Sequence, residues 1–486
     1  MEIKMVYVIH SLVWPLLACL FWWWNELWYA SPVRARCKSL NAKLPPGHLG
    51  IPIFGDYLSF MWYFHFIRRP DRYIRSKMQK YGNNNNNVGA YRTYLYGSPA
   101  IIASSPSLCK SIITATTGFK QGWPSSEVLG SHSVISIHGS RHQHIKGLLT
   151  SEFTQPDTLT RIAQQLQPCI VAALHSWFQM GQINAFHQVK RVALEFMGRY
   201  MGGLELGPEI DALEKLFSTM NEGIRAQPWN FPGMPFRHAL QCRKKLTEKL
   251  RLQLMKKKKE GKSIGATSDM MDRLMQSKDK EGRHLSDEEV VDNVLSSIAI
   301  SYIGIAYPVT WAIYFLAKNP HVLLQLREEN MEMAMEKKGA DVIYKDFLRL
   351  KYTNKVVDET IRIASLSGFV FKKATEDIKF EGYLIPKGWN VLLWLRHLHV
   401  DPSNFEDPLT FNPDRWDSRP KHGTYLPFGG GVRTCPGSTM ARLITILFLH
   451  QLAIGYRWEL ANPDMKIIYL SHPVPADGVD ISVSKI

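Results

Sequence analysis

Cysteine is scarce and scattered. Six occur in 486 residues (Cys19, Cys37, Cys109, Cys169, Cys242 and Cys435), and no two form a CxxC pair. That pattern excludes a disulfide framework and argues for a reducing compartment. Zinc-finger spacings, RNA-binding aromatic motifs and a basic zipper are also missing. The net charge of +16 is therefore not read as a nucleic-acid surface. Part of it is local, in the solvated run KKKKEGK at 256–262, and the rest suits an acidic protein partner or an anionic membrane face. There is no internal repeat, and no second long apolar run resembles the one at the N-terminus. With 45% apolar and 21% charged residues, the chain has enough apolar material for one large core.

What is present begins with MVYVIHSLVWPLLACLFWWW at 5–24, long enough to cross a bilayer and carrying only His10 as an ionisable group. Trp22, Trp23, Trp24 and Trp28 gather at one end, and Arg34, Arg36, Lys38 and Lys43 follow. Aromatic residues at the interface and a basic flank place the remaining chain on the cytosolic side. A cleaved signal peptide is the alternative, but no small-residue cleavage site precedes the basic flank. The expected organisation is a membrane anchor over 1–29, a basic and Pro/Gly-rich linker over 30–52, and one catalytic domain over 53–486. LPPGHLGIP at 44–52 reads as stiff and non-helical.

The body reads as mainly α with small β-sheets. Helical periodicity covers 70–81, 156–180, 209–221, 237–259, 286–317, 320–337 and 354–364. Alternating runs at 90–104, 377–388 and the C-terminal VDISVSKI read as strands. The asparagine tract at 83–87 is expected to be a loop.

The strongest chemical signal is FGGGVRTC at 428–435. Three glycines let the backbone lie close to a flat, bulky group. Cys435 follows, able as a thiolate to ligate iron, and Arg433 is placed to pair with a carboxylate of the same ligand. Upstream, Glu359 and Arg362 in NKVVDETIRI are three apart and share a helix face. Further on, Arg415 in FNPDRW at 411–416 is able to join them. In this order and spacing the three motifs resemble the signature of the cytochrome P-450 haem-thiolate family.

That resemblance implies the P-450 fold behind a single transmembrane helix, with haem b ligated axially by Cys435. It also implies a structural triad of Glu359, Arg362 and Arg415. Haem contacts are expected from Phe428, Arg433 and Gly437 and, for the propionates, from His142, Lys146 and Lys372. FKQGWPSS (119–126), EGYLIPKGWNVLLWLRHLH (381–399) and FNPDRWD resemble the plant ent-kaurenoic acid oxidases and, equally, the triterpene (β-amyrin-type) oxidases. The implied activity is NADPH-dependent oxidation of a hydrophobic polycyclic terpenoid or steroid. The implied partner is NADPH-cytochrome P-450 reductase, and the implied location the endoplasmic reticulum membrane.

One segment departs from the family. SSIAISYIGIAYPVTW at 296–311 lies in the long helix expected to cross the haem. Relatives carry there a glycine, then an acid and an alcohol that supply protons for O–O cleavage. Alignment from Asp292 and Trp311 puts Ser301 at the glycine, Ile303 at the acid and Gly304 at the alcohol. Pro308 removes the N–H that the Gly304 carbonyl would accept, freeing it for a water. Ser301, Tyr302 and Tyr307 offer hydroxyls, and the Ser301–Gly304 stretch is the expected catalytic segment. Two other readings stay open: an oxygen-independent isomerase or lyase, and a silent binder of haem and terpenoid.

Overall fold

In a computed structural model of the chain, the described residues are 13, 14, 17, 19–82, 89–123, 125–205, 207–261, 265, 268–469 and 472–486. Much of the apolar N-terminal run and the asparagine tract lie outside them. The chain divides into two units.

The first comprises Met1–Trp123, Ser367–Asp401 and Lys421–Arg433. Its five-stranded sheet runs in the order Ala90–Leu95, Ser98–Ala103, Asn390–Leu393, Val370–Ala374, Phe119–Gln121. The first two strands form a hairpin whose turn residues, Tyr96 and Gly97, both have positive φ (54° and 74°). This is the geometry whose twist matches that of the flanking strands. Ser98–Ala103 then pairs in parallel with Asn390–Leu393, from Ala100 opposite Asn390 to Ala103 opposite Leu393. The run predicted as strand over 377–388 is a separate hairpin, Ile378–Phe380 with Tyr383–Ile385.

Residues 19–39 are helical without a break. The helix thus runs through position 29, where the anchor is expected to give way to the linker. Glu26 is buried, and its carboxylate accepts from the Leu49 backbone N–H at 3.0 Å and from Arg92 Nε at 3.2 Å. Asn25 Nδ2 donates to the Ile51 carbonyl at 2.6 Å. The proline-rich stretch after residue 43 thus packs back onto the helix before it.

The second unit comprises Pro124–Leu366, Pro402–Pro420 and Thr434–Ile486. It is a helical body around Asp287–Lys318, the central helix. Ser286 caps that helix. Its hydroxyl accepts from the Glu289 N–H, and the Glu289 carboxylate accepts from the Ser286 N–H, the reciprocal capping box. Val294, Leu295, Ile298, Ala299, Ile305 and Ile313 are buried along it, each large side chain contributing about 1.5–3 kcal/mol on leaving water. Central helix and Ser438–Gly455 are both long and apolar enough to cross a membrane, but both are mostly buried in this unit and serve as core.

A buried polar chain fixes the helices that carry the site. His450 Nδ1 bonds Asn330 Oδ1 at 2.9 Å, Asn330 Nδ2 donates to Thr353 Oγ1 at 2.8 Å, and the Thr353 hydroxyl donates to Glu329 at 2.7 Å. It ties Ser438–Gly455, Pro320–Lys337 and Lys351–Ala364 together. Burial pushes the His450 imidazole down to about 4 against the opposing charge of Asp346, so the ring sits neutral beside the Asn330 amide.

Candidate active site

Glu359 and Arg362 lie one turn apart on Lys351–Ala364, and both are completely buried. Arg362 Nε donates to Glu359 Oε2 at 2.9 Å and its Nη2 to Oε1 at 2.7 Å. Arg415 Nε donates to Oε1 at 2.9 Å, joining the cluster as expected. Two further donors escaped the sequence reading, the Asn412 N–H (3.1 Å) and Trp416 Nε1 (3.1 Å). The signal was there: both sit inside FNPDRW, beside Arg415. Arg415 also donates to the carbonyls of Glu406, Asp407 and Thr410, so one guanidinium folds that whole loop. Arg442, on the helix after Cys435, grips Asp358 with both terminal nitrogens. This pair was also missed.

Cys435 lies in the second unit, three residues before Ser438–Gly455. It is accessible to solvent, yet the surrounding protein desolvates the sulfur and pushes the thiol up. The backbone N–H of Gly437 and the charge of Lys146 pull it back down. An accessible thiol in recessed surroundings, opposed by an N–H donor and a cation, is suited to act as a thiolate ligand. Lys146 is half-buried on Gly139–Thr154, and His142, one turn earlier on the same face, is buried. Lys146, expected as a propionate contact, and Gly437 thus both act on the sulfur's charge.

In the first unit the glycine loop meets Pro106–Thr114. A Cβ on Gly431, whose φ is 60°, would lie 2.8 Å from the Ile113 carbonyl oxygen; one on Gly430 would lie 3.1 Å from the Ile113 side chain. The glycines are required by this close approach. The Leu426 N–H donates to His399 Nε2 at 3.1 Å, anchoring the loop's start, and Phe428 is half-buried.

Lys372 is 4% exposed in Val370–Ala374, and no carboxylate pairs with it among the described residues. Burial, and then the charge of Arg433, push its amine down to about 8; burial also lowers Arg433. Two desolvated cations of one sign make a site that an anion would relieve. A pH dependence follows. Between about 8 and 10.5 the unfolded chain holds a proton that folded Lys372 has shed, so this group adds stability as pH rises through that window. With no anion bound, the urea midpoint of wild type should rise relative to that of Lys372→Met as pH goes from about 7.5 to about 9.5. A difference independent of pH would refute the depressed value.

The central helix has one open stripe. Ile300 is 42% exposed, and Ser301, Ile303 and Gly304 are half-buried. A Cβ on Gly304 would meet nothing within 4 Å. Tyr302 faces away from this stripe and corrects the expectation that its hydroxyl serves there. It is fully buried, tilted against Phe217 at 5.9 Å, with its oxygen accepting from Asn221 Nδ2 at 3.4 Å. Ser301 Oγ donates back to the Ile298 carbonyl at 3.3 Å. Pro308 lies inside the helix, which continues through it.

The cytochrome P450 family model matches residues 45–474. An ent-kaurenoic acid oxidase of Oryza sativa subsp. japonica is 34% identical over 93% of this chain and 91% of its own. A beta-amyrin 11-oxidase of Glycyrrhiza uralensis is 32% identical over 94% of each. Among solved structures, a retinoic acid-bound cyanobacterial CYP120A1 superposes with a TM-score of 0.81 at 21% identity, over 92% of this chain and all of that one. The chain therefore belongs to the cytochrome P450 family, monooxygenases whose haem b is held by a cysteine.

Proposed function

We propose that this protein oxidises a polycyclic terpenoid, taking O2 and NADPH-derived electrons through a membrane-bound flavoprotein reductase at the endoplasmic reticulum. The observation that supports this best is the apolar stripe of the central helix, Ile300, Ile303 and the open space beside Gly304, in a chain whose relatives are named for terpenoid oxidation. A rigid, hydrophobic ring system suits such a wall.

In this reading Cys435 holds the iron, with the Gly437 N–H and Lys146 moderating the charge on sulfur. In the first unit Arg433 and Lys372, and in the second His142 and Lys146, are the groups that would meet haem carboxylates; Lys372 would do so as a point charge rather than a fork. Phe428 and Gly437 are the remaining residues that would contact the haem. When bound, haem supplies the activation of O2 for insertion of one oxygen atom into the substrate.

The chain's own part is proton supply. Ile303 has no proton to give and Gly304 no side chain. The Gly304 carbonyl, left without a helical partner by Pro308, is an acceptor for a water or for a substrate hydroxyl. With Tyr302 buried on the other face, Ser301 is the half-buried side-chain hydroxyl beside these two positions, and breaking its 3.3 Å bond to Ile298 costs little.

The test is microsomes containing the protein and a reductase, given diterpene acids, triterpenes and steroids with and without NADPH. A product heavier by one oxygen, formed only with NADPH, supports the reading. A product of unchanged mass formed without NADPH replaces it with an isomerase.

A further inference from the structure

Beyond Gly304 the open stripe of the central helix runs into an aromatic stack. Tyr307, one turn after Ile303, is buried; its ring stacks on Phe186 (centroids 4.8 Å, planes 27° apart) and meets His472 edge-on at 4.6 Å. Three separate segments of the second unit supply its neighbours. Phe186 opens Ala185–Gly202, Arg225 ends Ile210–Arg225, and His472 lies just before Pro473–Pro475.

Two cations cap this stack. Lys190 Nζ sits 5.7 Å from the Phe186 centroid, and the Arg225 guanidinium carbon 5.9 Å from that of Tyr307. Their charges are handled differently. Lys190 is neutralised by Glu214 at 2.8 Å. Half-buried Arg225 has no carboxylate within 4.0 Å among the described residues, and its described contact is the face of Tyr307. Glu222, one turn back on the same helix, is exposed. The C-terminal carbonyls of its own helix offset part of the charge but offer no planar counter-ion.

We propose that Arg225 is a specificity residue: it docks a carboxylate of the substrate at the Tyr307 end of the open stripe, leaving the apolar rings along Ile303 and Ile300. The Tyr307 ring holds the guanidinium at 5.9 Å, and a guanidinium carries the paired N–H donors that match a carboxylate. A neutral substrate leaves this cation uncompensated. The inference rests on the terpenoid-oxidase reading and narrows it to acidic terpenoids.

The test is equilibrium binding to the purified holoprotein, read as the haem spin-state shift. The ligands are a tetracyclic diterpene acid, its methyl ester and a neutral triterpenoid. Wild type is expected to bind the acid about tenfold or more tighter than the ester, the worth of one charged hydrogen-bonded contact. Arg225→Gln should lose that preference while binding the ester within about twofold of wild type. Lys190→Gln, which breaks the neighbouring ion pair but leaves Arg225, should keep it. Equal affinities for acid and ester in wild type, or parallel loss of both in Arg225→Gln, would overturn the proposal. Binding of ester and triterpenoid without acid preference leaves the terpenoid reading standing. If no terpenoid shifts a holoprotein whose reduced-CO spectrum is intact, the terpenoid reading falls and the proposal falls with it.

Discussion

Glu359→Ala is expected to yield a chain that does not retain haem. The carboxylate is completely buried and accepts from Arg362, Arg415, Trp416 and the Asn412 backbone. Its removal takes the shared carboxylate away from two guanidinium groups, that of Arg362 itself completely buried. Breaking a buried pair from one side costs about 3–5 kcal/mol, against a total stability of about 5–15 kcal/mol for a folded protein. The Phe405 ring over Arg362, at 4.9 Å, offsets only a fraction. Glu359→Asp keeps the charge on a shorter arm and should fall between. Unfolding of a cofactor protein is not a two-state event, so the readout is haem-thiolate content per chain and resistance to protease. A Glu359→Ala variant with wild-type haem content would show that the cluster is dispensable.

Ile303→Glu with Gly304→Thr is expected to raise product formed per NADPH consumed by about tenfold. Positioned proton donors contribute about 10²–10⁴-fold, and the route through Ser301, water or substrate already supplies part. The substitution is sterically open, because a Cβ on Gly304 has no neighbour within 4 Å and Ile303 is only half-buried. Gly304→Thr alone should give a smaller gain, since a hydroxyl orders water but brings no acid. Unchanged or lower coupling, with the haem-thiolate spectrum preserved, would mean that protons arrive by a path these two positions do not touch.

Much of this was legible in the chain. The helices at 70–81, 156–180 and 320–337 match the periodicity to the residue, because proline opens each and a glycine, or a lysine in the left-handed conformation, follows each. The ion cluster was legible because two short motifs, NKVVDETIRI and FNPDRW, carry all its side chains. Tyr302 was misplaced because hydroxyls were weighed by type rather than by angle. Ile300, Ile303, Gly304 and Tyr307 recur at three- and four-residue spacing and share a face, and a residue two after Ile300 must point nearly opposite. Arg225 could not be found from sequence: it meets Tyr307 from another helix, and nothing local marks it as lacking a partner. Cys435's recessed setting is likewise a product of packing, not of spacing.

The unbroken helix over 19–39 bears on any attempt to free the chain from its apolar N-terminus. A cut after residue 29, where composition invites it, would discard Glu26, stranding the Leu49 N–H and removing the carboxylate held by Arg92. It would also strip Asn25 from the Ile51 carbonyl. The solubilising cut therefore belongs before Asn25, and the tryptophans just ahead of it mark how much greasy surface can be shed before the fold itself is trimmed.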